Sequence, residues 1–218
     1  MKKFVLSLGC GLMLSSAAFA AAPSGPSVKI VESYLLTSQG FRIPTDAQQV
    51  LMVEDSMGSH ALVLSKTETA SPSRPNPRRK EYLQLTAEYY RAVKDGWQLE
   101  WTIKDFTDCP GATTMGNFLF EDITATDLNK DGVAEITVPY HLFCGVGLDN
   151  HTLKVIMREG NAKYAIRGTS LLSVRGEVSY GGDRVYDKTL EAPDKAKYKQ
   201  HMTKVWLSVV DKVQSIVD

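Results

Sequence analysis

The chain has no surplus of charge. Its 218 residues carry 25 lysines and arginines against 25 aspartates and glutamates, so bulk attraction to nucleic acid is not how it works. Cysteine is scarce, with three residues in all, and a chain of this length can bury a sizeable core without metals or disulfides. Beyond residue 20 no apolar run approaches the length of a bilayer span, so no transmembrane segment is expected. There is no P-loop, no G-x-G-x-x-G and no G-x-S-x-G. The four histidines form neither H-x-x-x-H nor H-E-x-x-H. No internal repeat of the kind that builds a multi-blade propeller is present. What is there is ordinary: 43% hydrophobic and 23% charged residues. Such a composition excludes a wholly disordered chain, a collagen-like fibre and a multi-span membrane protein.

The first twenty residues read as an address. Lys2 and Lys3 form a positive start, Phe4 to Leu14 an apolar stretch, and Ala18-Phe19-Ala20 a small-x-small cleavage site. This is the pattern of a bacterial-style secretory signal peptide, and it predicts a periplasmic or secreted protein cleaved near Ala20. Cys10 follows Ser7-Leu8-Gly9, a poor lipoprotein box because Ser7 stands where leucine is wanted. Removing residues 1–20 leaves 198 residues with 23 basic and 25 acidic side chains, a net charge of −2. Two cysteines then remain, Cys109 and Cys144. A single pair in an exported chain is expected to oxidise to a disulfide. The alternative is two separate buried thiols.

Periodicity predicts an α+β, mainly β fold: an antiparallel sheet of hairpins with a C-terminal amphipathic helix packed on it. Residues 21–27 read as a flexible start and 28–218 as a single domain. Gln48–Glu54 and His60–Lys66 are β-rich runs joined by a loop of about five residues. Residues 67–80, with Pro72, Pro75 and Pro77, read as an exposed loop. Glu81–Val93 is a long strand candidate ending at the Asp95-Gly96 turn. Trp97, Leu99, Trp101 and Ile103 alternate with polar residues, which predicts a strand with one buried face. Asn117–Ala125, Glu135–Phe143, Thr152–Arg158, Tyr164–Ile166 and Leu171–Tyr180 are further strand candidates. At the end the period lengthens: Tyr198, Met202, Val205, Val209, Val213 and Ile216 recur every three or four residues, predicting a helix over 193–217.

One motif carries chemistry. Residues 127–135 read D-x-N-x-D-G-x-x-E. Oxygen-bearing side chains at alternate positions turn into one concavity, and Gly132 permits the sharp bend. Several oxygens at short range are what a hard cation such as calcium requires. The candidate ligands are Asp127, Asn129 and Asp131 through their side chains, Val133 through its carbonyl, and Glu135 as the closing carboxylate. An EF-hand would need its glutamate at Val138, so the loop is not one. The metal-free alternative is a run of turns whose Asx side chains bond their own backbone.

The Asp-Leu-Asn-Lys-Asp-Gly core after Phe118-Leu119-Phe120 resembles the β-hairpin calcium loop of FG-GAP or VCBS repeats. That resemblance covers about twenty residues, occurs once, and implies a calcium loop without implying a propeller. Over a wider span, Phe118 to Gly168, the Asp-rich turn, the Ala-Glu-Ile strand, Cys144 and the ending Lys163-Tyr164-Ala165-Ile166-Arg167-Gly168 resemble small exported bacterial proteins loosely labelled surface polysaccharide biosynthesis proteins. The residues after Cys144 depart from that pattern, and no catalytic residue comes with it.

The function expected from these features is an exported, non-enzymatic protein of the cell envelope with one structural calcium loop. It is expected to be a monomer whose partner is an envelope polysaccharide or another exported protein. One alternative is a hydrolase of envelope glycan or peptide, which would gather His141, His151 and a carboxylate such as Asp149 or Asp122. Another is an inhibitor or adaptor of an exported protein. Arg74, Arg78, Arg79 and Lys80 make a small basic patch suited to an anionic envelope polymer or a lipid phosphate; a merely solvated loop is the plainer reading. Tyr89, Tyr90, Trp97 and Trp101 could stack on sugars, though such aromatics more often build a core.

Overall fold

The computed structural model describes residues 27–30, 33–38, 40–146, 148–173 and 179–213. The signal peptide predicted at 1–20, residues 21–26 of the predicted flexible start, and residues 214–217 of the predicted helix lie outside the described residues.

Strand β1 (Ser27–Ile30) and a short helix α1 (Ser33–Ser38) precede a meander of four long strands: β2 (Ala47–Asp55), β3 (Gly58–Thr69), β4 (Tyr82–Val93) and β5 (Gly96–Asp108). They form a five-stranded sheet in the order β1-β2-β3-β4-β5. Next come β6 (Thr113–Phe118), a 3-10 turn at Phe120–Asp122, β7 (Thr124–Thr126), β8 (Glu135–Gly145), β9 (Thr152–Glu159) and β10 (Ala162–Thr169). A small ribbon of β11 (Leu171–Leu172) and β12 (Tyr180–Gly181) follows, then β13 (Arg184–Tyr186) and helix α2 (Ala196–Val209). The second sheet runs β13-β10-β9-β8-β6, with β7 also on β8. The fold is α+β and mainly β, with antiparallel pairing and a C-terminal helix. The hairpins, however, sort into two facing sheets rather than one.

Alternation along the strands explains the layering. Leu83, Leu85, Ala87 and Tyr89 of β4 point inward and meet Ile136, Val138, Tyr140 and Leu142 of β8 in the core between the sheets. The opposite face of the second sheet offers Leu153, Val155, Met157, Tyr164 and Ile166. Helix α2 covers these with Tyr198, Met202, Val205, Trp206 and Val209, the stripe that the 3.6-residue period places on one side. Strand β8 is therefore buried on both faces and carries two buried polar residues, Glu135 and Thr137. On the outer face of the first sheet, Leu36 and Phe41 cover Val50, Ala61 and Val63.

Several predicted elements are redrawn by tertiary contacts. The β2–β3 connection is the two-residue turn Ser56–Met57, and residues 67–69 continue β3 rather than joining the loop. The predicted strand 117–125 is broken: Asp122 N–H donates to Leu119 O (3.0 Å) and Ile123 N–H to Phe120 O (3.3 Å). The Asp122 carboxylate is then drawn to Lys212 Nζ (2.7 Å) and Ser208 Oγ (3.0 Å) beside α2. Residues 174–178 of the predicted strand 171–180 lie outside the described residues; among the described ones, Leu171–Leu172 and Tyr180 are strand. The predicted helix 193–217 begins with a 3-10 turn at Pro193–Lys195 and stops at Val209, where Lys212 N–H turns back to the Val209 carbonyl (3.2 Å) and Leu171 N–H takes the Val210 carbonyl (2.7 Å). A bulge alters β5 as well. Tyr89 faces Trp101 but Tyr90 faces Leu99, so Trp101 is buried inward while Leu99, predicted buried, is 46% exposed. The aromatics build core: Tyr89 stacks on Trp101 at 4.8 Å, and Phe41 meets Tyr90 and Trp97 edge-on at 5.1 and 5.2 Å.

Cys109, just past β5, is bonded to Cys144 of β8, with Cα atoms 5.5 Å apart. The staple ties one sheet to the other. No described helix is long and apolar enough to cross a membrane.

Candidate metal centre

Residues 127–134 connect β7 to β8, and the pair Thr126–Glu135 closes the hairpin. The loop is shaped by its own side chains. Asp127 Oδ2 accepts from Gly132 N–H (3.1 Å), Asn129 Oδ1 from Asp131 N–H (3.0 Å), and Asp131 Oδ1 from Val133 N–H (2.8 Å). The last two are local Asx turns, and the first spans five residues. Lys130 and Gly132 take left-handed backbone, at φ 67° and 81°. At Gly132 a Cβ would also press on the Ser56 side chain at 3.0 Å, so glycine answers two demands at once.

Glu135, 1% exposed, folds back under the loop. Its Oε2 accepts from Leu128 N–H (2.8 Å) and Thr126 Oγ1 (3.1 Å), and its Oε1 from Asn129 N–H (3.3 Å). This satisfies backbone donors that a buried turn would otherwise strand. The loop also docks outward in three directions. Ser56 N–H donates to Gly132 O (2.9 Å) and Ala134 N–H to Asp55 Oδ2 (3.0 Å), both at the β2–β3 turn. Asn129 Nδ2 donates to Glu159 Oε1 (2.9 Å), at the end of β9. Lys197 of α2 reaches Leu128 O at 3.5 Å.

Glu159 is the hub of that second contact. It also accepts from Tyr198 Oη (2.5 Å) and Tyr164 Oη (2.8 Å), with Lys195 Nζ at 3.6 Å. Asp55, Ser56, Glu159, Tyr164 and Tyr198 were not legible as loop partners. Asp55 lies 79 residues from Ala134, and no spacing rule joins them; nothing local to Glu159 says which loop it would face.

Among the described residues, no three His, Cys, Asp or Glu side chains gather as a metal-ligand cluster. Two of the candidate oxygens, those of the Asn129 amide and the Val133 carbonyl, belong to groups outside that set. One atom remains unspent. Asp127 Oδ1 is buried and has no hydrogen-bond partner. A buried carboxylate oxygen without a donor is costly, and a hard cation is one way to satisfy it. The donor set of Asp127, Asn129, Asp131, Val133 and Glu135 is all oxygen, so the residues fit calcium.

The histidine pair foreseen for a hydrolase does come together. His141 Nδ1 and His151 Nδ1 are 2.8 Å apart, one donating to the other, and Phe143 stacks on His151 at 4.6 Å. Asp149 acts electrostatically on His151, whereas Asp122 is committed to α2. His151 is only 2% exposed. Burial, then the neighbouring His151 and Lys66, push the His141 imidazole down to about 4, and burial lowers His151 as well. Both rings are therefore neutral at pH 7. An unfolded histidine takes up its proton near pH 6.5, while the folded His141 refuses one until about pH 4. Stability is thus expected to fall as pH drops from about 6.5 to 4, by on the order of 2–3 kcal/mol. Urea midpoints across that range should show the slope, and His141→Asn should flatten it. Glu81, Asp108 and Glu159, whose folded values are lowered, lose their contributions further down, as pH falls through those values.

The chain matches no family model, no curated protein and no solved structure.

Proposed function

We propose that this is an exported, non-enzymatic protein of the cell envelope whose 127–135 loop takes one calcium ion as a structural clamp. The observation that carries the metal reading is Asp127 Oδ1, buried without a partner in a loop whose other oxygens belong to Asn129, Asp131, Val133 and Glu135. Export rests on the pattern of residues 1–20.

Asp127, Asp131 and Glu135 would hold the ion through their carboxylates, and calcium would supply the positive charge that offsets theirs. The chain's own groups transmit that order. Asp55 and Ser56 hold the loop to the first sheet. Asn129, through Glu159 and Tyr198, holds it to the helix. A cation here would therefore stiffen the junction of both sheets and α2, a role that needs no nucleophile.

Titration of the protein with calcium should release or absorb heat with one-site stoichiometry. At a hundredfold excess over Kd the linkage stabilisation is about 2.7 kcal/mol, or roughly 5–10 °C in Tm for a chain of this size. Asp127→Asn and Asp131→Asn should abolish the response. No heat and no rise in Tm for the unaltered protein would remove calcium from the account.

A further inference from the structure

The proline-rich loop is ordered. Residues 70–80 contain Arg74, Arg78, Arg79 and Lys80 and no acidic residue. Most of the segment is exposed, but local hydrogen bonds around Ser71 and Asn76 tie it down. Ser71 is 1% exposed, and its Oγ lies 3.0 Å from Ser73 Oγ and accepts from Arg74 N–H at 3.0 Å. Ser71 and Ser73, lying beside Asp108, hold its carboxyl below the usual range. Asn76 accepts from Arg78 N–H through Oδ1 (3.1 Å) and from Arg79 N–H through its carbonyl (3.0 Å).

Across from this loop stands the turn after Cys109, anchored by the disulfide. Glu81 joins the two. Its Oε1 accepts from Gly111 N–H (2.9 Å) and from Arg79 Nη1 (3.2 Å), and its carbonyl from Cys109 N–H (2.7 Å). Between loop and turn lies a cleft of about 400 Å³, lined by Arg74, Pro75, Asn76, Pro77, Arg79, Glu81 and Gly111.

We propose that this cleft binds an acidic sugar, holding its carboxylate or phosphate with Arg74 and Arg79. Guanidinium forks match both oxyanions. Arg79 spends one of its five N–H donors on Glu81, which orients it. Arg74 and Arg78 have no carboxylate within 4.0 Å among the described residues. Asn76 uses its Oδ1 internally, which leaves its amide N–H₂ to a ligand hydroxyl. The Arg74 and Arg79 charges exceed that of Glu81 by one, and Arg78 and Lys80 flank the lining. Because the loop is already ordered, binding does not have to order it, which favours affinity. No large apolar side chain lines the cleft, so it lacks the anchor that a bilayer surface rewards.

The test is binding of glucose 6-phosphate and of polygalacturonate, with neutral dextran and phosphatidylglycerol–phosphatidylcholine vesicles alongside. At least one acidic glycan should bind while dextran does not, and the affinity should fall with added salt. Arg74→Ala and Arg79→Ala should each weaken it by about tenfold to a hundredfold without moving the thermal midpoint by more than a degree or two. Three outcomes overturn the proposal: neither acidic glycan binds, the double variant binds as well as the parent, or vesicles capture the protein more tightly than either glycan. Calcium binding at 127–135 is a separate measurement and does not bear on the result.

Discussion

Truncating Trp206 to alanine is expected to cost about 3–5 kcal/mol, the range for removing a fully buried tryptophan. Against a total stability of about 5–15 kcal/mol, that is a third or more of the whole at the lower end of the range. Trp206 is 0% exposed and sits in the cluster that joins α2 to Leu153, Val155 and Met157 of the second sheet. Helix α2 has 14 residues, about the length at which an isolated helix is marginal in water, so it depends on this packing. Trp206 Nε1 is buried with no hydrogen-bond partner, and such an N–H costs about 1–3 kcal/mol. Trp206→Phe discards that donor while keeping a ring, so it should recover most of the loss. Urea denaturation of the three proteins is the measurement. An alanine variant within 1 kcal/mol of the parent would mean that the helix is not seated on the sheet in solution.

Reducing the Cys109–Cys144 bond should cost about 3–4 kcal/mol, because the two residues are 35 apart in sequence and the bond removes the freedom of that loop from the unfolded chain. The double Cys→Ser variant should match the reduced protein. A larger denaturant slope on reduction would place the effect in a more expanded unfolded state. Alkylation of the unreduced protein should label neither Cys109 nor Cys144. Labelling of both would disprove the bridge in solution, and a loss under 1 kcal/mol would show that the sheets hold together without it. The bond also anchors the turn bearing Gly111, so reduction should loosen the cleft at Arg79 as well.

Particular residues show how far the sequence could be read. The Asp127–Glu135 spacing was legible because Asn129 and Asp131 each bond a backbone N–H two residues on and Asp127 one five residues on, a local matter. The α2 stripe was legible for the same reason: its period follows from the helix itself. Leu99 was misread although its alternation is faultless. The bulge opposite Tyr89 and Tyr90 moves every residue before it to the other face, and nothing in β5 alone announces that. The strand expected at 117–125 failed because Asp122 finds Lys212, ninety residues away.

By itself, then, the sequence determined which helix face is apolar and which turn is built from Asx oxygens. Local spacing suffices for these, since they depend on backbone geometry within a few residues. Tertiary structure alone decided that the hairpins divide into two sheets with β8 buried between a core and a helix. It also decided that Asp55, Ser56 and Glu159 close around the 127–135 loop, and that Glu81 joins a basic loop to a disulfide turn. An apolar face or an unpaired donor states that it must be covered, and only the packed chain determines by what.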